Sequence, residues 1–125
     1  MGLDMYAYAL KHQGTGELKV DIPIPEDAKK IASWWKFNHL HGFFEDLYYE
    51  KGGFQEFNCK TVQVELADLD CLEEKLKNNQ LEPRKGFFWG DDKLEIQDVE
   101  ETYRFIEKAR QFLAQGYVIL YYSWW

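Results

Sequence analysis

The residues best equipped for chemistry lie in one stretch, Trp34 to Phe44, reading WWKFNHLHGFF. Asn38 and His41 stand at a helical spacing, with Trp34 a turn before Asn38 and Glu45 a turn after His41. On a helix over residues 31–50, at roughly 100° per residue, Trp34, Phe37, Leu40, Phe44, Leu47 and Tyr48 form an apolar arc. His41 falls inside that arc, and Trp34, Asn38, His41 and Glu45 make one rim. An imidazole there, walled by aromatics, is placed to titrate near neutral pH as acid, base or anion donor, with Asn38 or Lys36 stabilising charge. The other reading is structural and is the commoner outcome for polar groups at a core edge: the imidazole bonds a backbone carbonyl and Asn38 ties down a loop. His39 falls on the opposite side, so the two histidines cannot chelate one ion, which requires ligands about three or four residues apart.

Two further places carry charge among aromatics. Asp4 is the only charge in the opening run MGLDMYAYAL, and is either a strand-start carboxylate bonded to amides or a nearby lysine, or a catalytic acid that could partner His41. In LEPRKGFFWG, Arg84 and Lys85 precede Phe87, Phe88 and Trp89 between Gly86 and Gly90. Guanidinium geometry matches carboxylate or phosphate, so this segment offers a site for a small anionic ligand beside stacking rings. The alternative is a hairpin whose rings pack on the core. Neither phosphate-cradling glycine motif is present, and no serine, cysteine or carboxylate is spaced to complete a nucleophile and base pair. The candidate binding set is Trp34, Asn38, His41, Arg84, Phe88, Trp89 and Trp124; the candidate catalytic set is Asp4, Lys36, Asn38 and His41. The sequence calls for no cofactor and no metal.

At 125 residues the chain is the size of one domain, residues 1–125, with a single core. A hydrophobic share of 46% excludes a disordered chain, and the 18% aromatic share supplies contact area for an interface or pocket. A net charge of −7 argues against a nucleic-acid binder tracking phosphates, and acidic residues interleaved with lysine and arginine argue against a nucleic-acid mimic. Cys59 and Cys71 form no CxxC and follow no signal peptide, which places the chain in a reducing cytoplasm with both cysteines as small buried residues. No apolar run approaches the about 18 residues needed to span a membrane. Tyr6 stands where a myristoylation signal needs serine or threonine.

The elements that must position these residues follow in order. A strand in the opening run, a turn at Gly14-Thr15-Gly16 and a strand from Glu17 to Ile22 predict a hairpin. Pro23 and Pro25 end it, and the main helix begins near Glu26 or near Ser33 and stops at Gly52-Gly53. Lys60 to Glu65 alternates as a strand, with Thr61 facing away from Val62 and Val64. A second helix, Asp68 to Asn78, has Asp68 as N-cap and a stripe of Leu69, Leu72 and Leu76. Phe87 to Trp89 reads as a short strand. Asp98 and Glu101 predict a capping box for a third helix closed by Gly116, with Val99, Tyr103, Ile106 and Leu113 as the buried stripe, Thr102, Phe105, Ala109 and Phe112 widening it, and a Glu100–Arg104 pair. Tyr117 to Ser123 is then a central strand beside the first. The fold expected is α+β: one small mixed or antiparallel sheet with about three helices packed on it and the N- and C-terminal strands adjacent.

The start MGLDMY, the pattern formed by Trp34, Lys36, Asn38, Leu40, His41, Phe43 and Phe44, the segment from Leu81 and Pro83 to Gly86–Gly90, and the end Tyr122-Ser123-Trp124-Trp125 together resemble a family of short uncharacterised bacteriophage and prophage proteins. The resemblance marks Asp4, Trp34, Lys36, Asn38, His41, Gly86, Gly90 and Ser123 as family positions, and implies an accessory protein that works by binding. Arg84, Lys85 and Glu45 depart from the family pattern. The function expected is binding of a small ligand or a host protein between the Trp34–Phe44 helix and the Gly86–Gly90 segment. The alternatives are a structural or assembly protein interacting through its aromatic C-terminus, and a small enzyme using His41. Monomer and homodimer both stay open.

Overall fold

The computed structural model describes residues 2–11, 19–85 and 93–125. Its elements run β1 (Asp4–Leu10), β2 (Lys29–Trp35), α1 (Asn38–Glu50), β3 (Lys60–Val64), α2 (Leu66–Lys77), α3 (Ile96–Ala114) and β4 (Val118–Trp124). The fold is α+β. The four strands form one antiparallel sheet in the order β2-β1-β4-β3, so the first and last strands are neighbours, as the sequence predicts. The turn at Gly14-Thr15-Gly16 and the Phe87–Trp89 strand fall outside the described residues.

Period-two alternation decides which side chains face the helices. In β1, Met5, Ala7 and Ala9 are buried while Asp4, Tyr6 and Tyr8 are half-buried on the other face. Register carries the pattern across the sheet: Met5 pairs with Trp34 and Ser123, and Ala7 with Ala32 and Tyr121. The core continues through Val62, Val64 and Ile119 to Phe44, Phe105, Ile106 and Leu69 from the helices. A register irregularity between Ala7 and Tyr8 leaves Ile31 as an extra residue of β2, which lets Ile31 and Ala32 both be buried.

Residues 29–35 are strand, which corrects the expected helix start. Trp34 fits a helical arc with Phe37 and His41 by spacing alone, yet it is buried because it alternates with Trp35 in β2. The change of direction comes at Lys36, whose φ of 54° is left-handed and whose N–H donates to the Leu3 carbonyl at 2.8 Å. The helix begins only at Asn38. The hairpin is corrected as well: β1 pairs with β2, and the described part of the expected second strand lies against β3, bridging Val20 to Val62.

All three helices close alike. A left-handed residue at Gly52, Asn79 or Gly116 lets the next amide, of Gly53, Gln80 or Tyr117, reach back to the carbonyl of Tyr48, Lys75 or Phe112. The starts differ from expectation. Glu65, not Asp68, caps α2, and Asp68 returns the bond to the Glu65 amide at 2.8 Å. Glu95 precedes α3 with no side-chain cap, so the Asp98–Glu101 capping box is absent. The centre of the α3 stripe is Thr102, Phe105, Ile106 and Ala109, with Val99, Tyr103 and Leu113 at its margins, and Arg104 pairs with Glu101 instead of Glu100. Cys59 and Cys71 are exposed, not buried. Cys71 lies off the Leu69–Leu72 stripe, and Cys59 is held at φ 61° before β3.

Candidate functional site

Asn38 and His41 are positioned by the first turns of α1, and both are buried. The His41 Nδ1 lies 2.7 Å from the Tyr121 hydroxyl, a hydrogen bond whose donor depends on the imidazole tautomer. Phe57 stacks on the imidazole with centroids 5.4 Å apart, and Trp125 meets it edge-on at 5.1 Å. Burial, with a smaller contribution from the Arg84 charge, pushes the His41 pKa down to about 3. Burial likewise holds the Tyr121 hydroxyl well above its ordinary range. The pair is therefore uncharged at neutral pH. Of the two readings open for this imidazole, its burial favours the structural one, with the Tyr121 hydroxyl in place of the expected backbone carbonyl: His41 ties α1 to β4 inside an aromatic core.

Arg84 meets the same helix from outside. Its backbone N–H donates to the Asn38 side-chain oxygen at 2.8 Å, so Asn38 does hold down a neighbouring loop. Its guanidinium is bidentate to Asp46 at 2.9 Å and reaches Glu45 at 2.8 Å, which raises its pKa further. The fork that would grip a ligand's carboxylate or phosphate thus already grips two carboxylates of α1, while the Gly86–Gly90 rings of the expected anion site lie outside the described residues. Lys85 beside it is exposed. A cleft of about 550 Å³ opens here, lined by His39, Gly42, Asp46, Lys75, Gln80 and Arg84 among others. Arg84 lines this cleft; Asn38, buried behind it and bonded to the Arg84 backbone, and His41 do not. A Cβ at Gly42 would stand 3.1 Å from the Arg84 Cβ and Nε. Gly42→Ala is expected to offset the displaced arginine stem with about 1 kcal/mol of helix preference and so to melt within a few degrees of wild type, while Arg84→Ala, which removes the fork to Asp46 and Glu45, is expected to lower the thermal midpoint.

The remaining candidates lie at the other side of the sheet or are divided by it. Trp34 points into the core, donating its indole N–H to the Thr102 hydroxyl at 3.1 Å and meeting Phe105 edge-on at 5.3 Å. It cannot share a rim with Asn38. Trp35 faces the opposite way and is 61% exposed; Trp124, on the same face, is 41% exposed. In register the two flank Asp4, giving a row Trp35–Asp4–Trp124 across three strands. The next row is Ser33, Tyr6, Tyr122 and Thr61. Further along this face Leu10 and Leu120 are buried, so its open part is the tryptophan end. The Lys36 ammonium sits 4.5 Å from the Trp35 ring centroid, and that of Lys30 sits 5.4 Å from Tyr6.

A shallow groove of about 530 Å³ runs from this face around β2 to the start of α3, lined by Asp4, Tyr6, Ser33, Trp35, Asp98 and Glu101, with Gln97 and Arg104. Trp35 carried no weight in the sequence reading. The signal that finds it is two adjacent tryptophans, which in a strand must point to opposite faces, so that burying one exposes the other. Phe88 and Trp89 lie outside the described residues.

Among the described residues no three or more histidine, cysteine or carboxylate side chains are grouped to hold a metal ion, and no helix is long and apolar enough to cross a membrane. Comparison with protein-family models, with curated proteins and with solved structures finds no match.

Proposed function

We propose that this chain is a small cytoplasmic binding protein, of the accessory kind carried by phages and prophages, and that it recognises a partner protein through the open aromatic end of its sheet. The observation that supports this reading is the row Trp35–Asp4–Trp124, with tryptophans 61% and 41% exposed and Tyr6 and Tyr122 half-buried beside them. Isolated exposed apolar residues are ordinary, but large aromatics gathered on one flat face are the composition of the centre of protein interfaces. Leaving them in water is unfavourable, and covering them with a partner recovers that free energy.

A second reading, a small-ligand site, draws on the cleft between α1 and residues 79–84, whose lining includes Lys75 and Glu82 beside the paired Arg84 and Asp46. An acid–base role for His41 has no such support, because the imidazole is buried against Phe57 and Trp125 and uncharged.

The test is retention of proteins from an extract of the bacterial host by the immobilised chain. Trp35→Ala with Trp124→Ala is expected to melt within a few degrees of wild type, since neither side chain belongs to the buried core, and to lose the retained partner. Lys75→Ala is expected to keep it. Unchanged retention by the double tryptophan variant, or loss with Lys75→Ala alone, overturns the aromatic-face reading. Sedimentation of the same variants covers the case in which the partner is a second copy of the chain.

A further inference from the structure

The groove at the edge of the open face has an electrostatic character that the face alone lacks. Three carboxylates line it, from Asp4, Asp98 and Glu101, against one guanidinium, that of Arg104. Arg104 is already engaged with Glu101, at 3.0 Å. Among the described residues, Asp4 and Asp98 accept no side-chain hydrogen bond and pair with no cation. Asp98 is held above its ordinary pKa by burial and by Glu95, the behaviour of a carboxylate short of positive charge. The rings that adjoin these carboxylates are of the kind that bind cations, and the chain displays this itself: Lys36 rides on Trp35 and Lys30 on Tyr6.

Resting on the reading of the open face as an interface, we propose that the occupant is a cationic protein segment, one of whose lysine or arginine side chains seats in the groove beside Trp35, between Asp4, Asp98 and Glu101. The charge of the groove selects that class over an acidic or purely apolar segment. An acidic side chain would meet two uncompensated carboxylates, and an apolar one would strip water from them without replacing it. The ammonium or guanidinium gains the ring and the carboxylates together, and the row Trp35–Asp4–Trp124 supplies apolar contact to either side of it. Lys36 is the internal competitor, holding the place over Trp35 until the partner's cation arrives.

The probe is a capped tetralysine peptide titrated into the full chain, followed by the indole N–H signals of Trp35 and Trp124 in NMR spectra. The control is the same peptide with every ε-amine acetylated, which keeps the shape and removes the charge. The Trp35 signal is expected to shift saturably with tetralysine and not with the acetylated peptide, and the shift is expected to weaken as salt is raised. Asp4→Asn with Asp98→Asn is expected to weaken binding about fivefold, and Lys36→Met to tighten it about twofold. The two arms move in opposite directions, which a merely structural effect of the substitutions does not produce.

Equal shifts with the acetylated peptide overturn the cationic occupant and leave the open face as an apolar interface. Shifts confined to α1 or the cleft beside Arg84, or no shift at either tryptophan, overturn the proposal outright. The reading of the face as an interface then stands or falls on the tryptophan variants and their retained partner.

Discussion

On acidification from pH 7 to pH 5, the protein is expected to lose about 2 kcal/mol of stability through His41 alone. The folded imidazole has a pKa of about 3 against an ordinary value of 6.5, so between those values the unfolded chain binds a proton that the folded chain does not. The neutral imidazole's contribution is thus complete above pH 6.5, declines by about 1.4 kcal/mol for each pH unit below it, and is gone near pH 3. The cause is physical confinement. His41 is fully buried, with Phe57 stacked on one side, Trp125 edge-on and the Tyr121 hydroxyl on Nδ1, and the charge nearest enough to shift it is the Arg84 cation. Glu65 and Glu73 are held below the usual carboxylate range by Lys19, Lys51 and Arg110, so their protonation falls at lower pH and does not obscure the window from pH 6.5 to 5. Urea unfolding at a series of pH values checks the slope, with His41→Gln as the reference. The variant is expected to be less stable at pH 7.5 and to show a clearly flatter dependence between pH 6.5 and 5. An imidazole signal titrating near 6.5 in the folded protein, or equal slopes for the two proteins, sinks the prediction.

How much of this was legible in the sequence depends on which interaction decided each residue's place. The strands β1 and β4 were legible as runs of apolar and aromatic residues, which suits the two inner strands of the sheet, while alternation carried β3. Leu69 and Leu72 in α2, and Phe105 and Ile106 in α3, were legible for the analogous reason. The segment Ile31 to Trp34 was not, since its apolar residues also fit a turn of helix continuous with Phe37 and His41, and the break at Lys36 is a backbone choice with no side-chain signature. Losing that break hid the candidate surface, because Trp35 on a helix margin is unremarkable while Trp35 on an uncovered sheet face is not. The interior site was half legible. Spacing joined Asn38 to His41, and Asn38 does hold the loop bearing Arg84, but nothing local reports that Tyr121, eighty residues on, supplies the partner of His41. Arg84 reads as a free cation until the fold sets it against Glu45 and Asp46.

The glycine pair after α1 is the sharpest case of a difference invisible in sequence, and substitution makes it measurable. Gly52 and Gly53 both read as helix stops. Gly52 is the left-handed residue of the closing turn, at φ +106°, with open space where a Cβ would go, so Gly52→Ala is expected to cost about 1 kcal/mol from backbone strain alone. Gly53 is not left-handed; it lies directly against the ring of Tyr48, and a Cβ there would overlap the ring carbons. That ring has no place to go. It is fully buried, stacked on Phe57 with centroids 4.7 Å apart, and its hydroxyl donates to Asp21 at 2.9 Å, while the Gly53 amide donates to the Tyr48 carbonyl at 2.9 Å. Relief requires either withdrawing the tyrosine, which breaks the bond to Asp21 and disturbs the stack under His41, or moving residues 52–54 and releasing the helix end. Gly53→Ala is therefore expected to cost about 3 kcal/mol and to lower the thermal midpoint by roughly 10 °C, about three times the effect at Gly52. Tyr48→Leu opens space for the new methyl while losing the bond to Asp21, so combining it with Gly53→Ala is expected to be less than additive, by about 1 to 2 kcal/mol. Equal losses at the two glycines, or simple additivity with Tyr48→Leu, would place the cost of Gly53→Ala in the backbone instead of the ring.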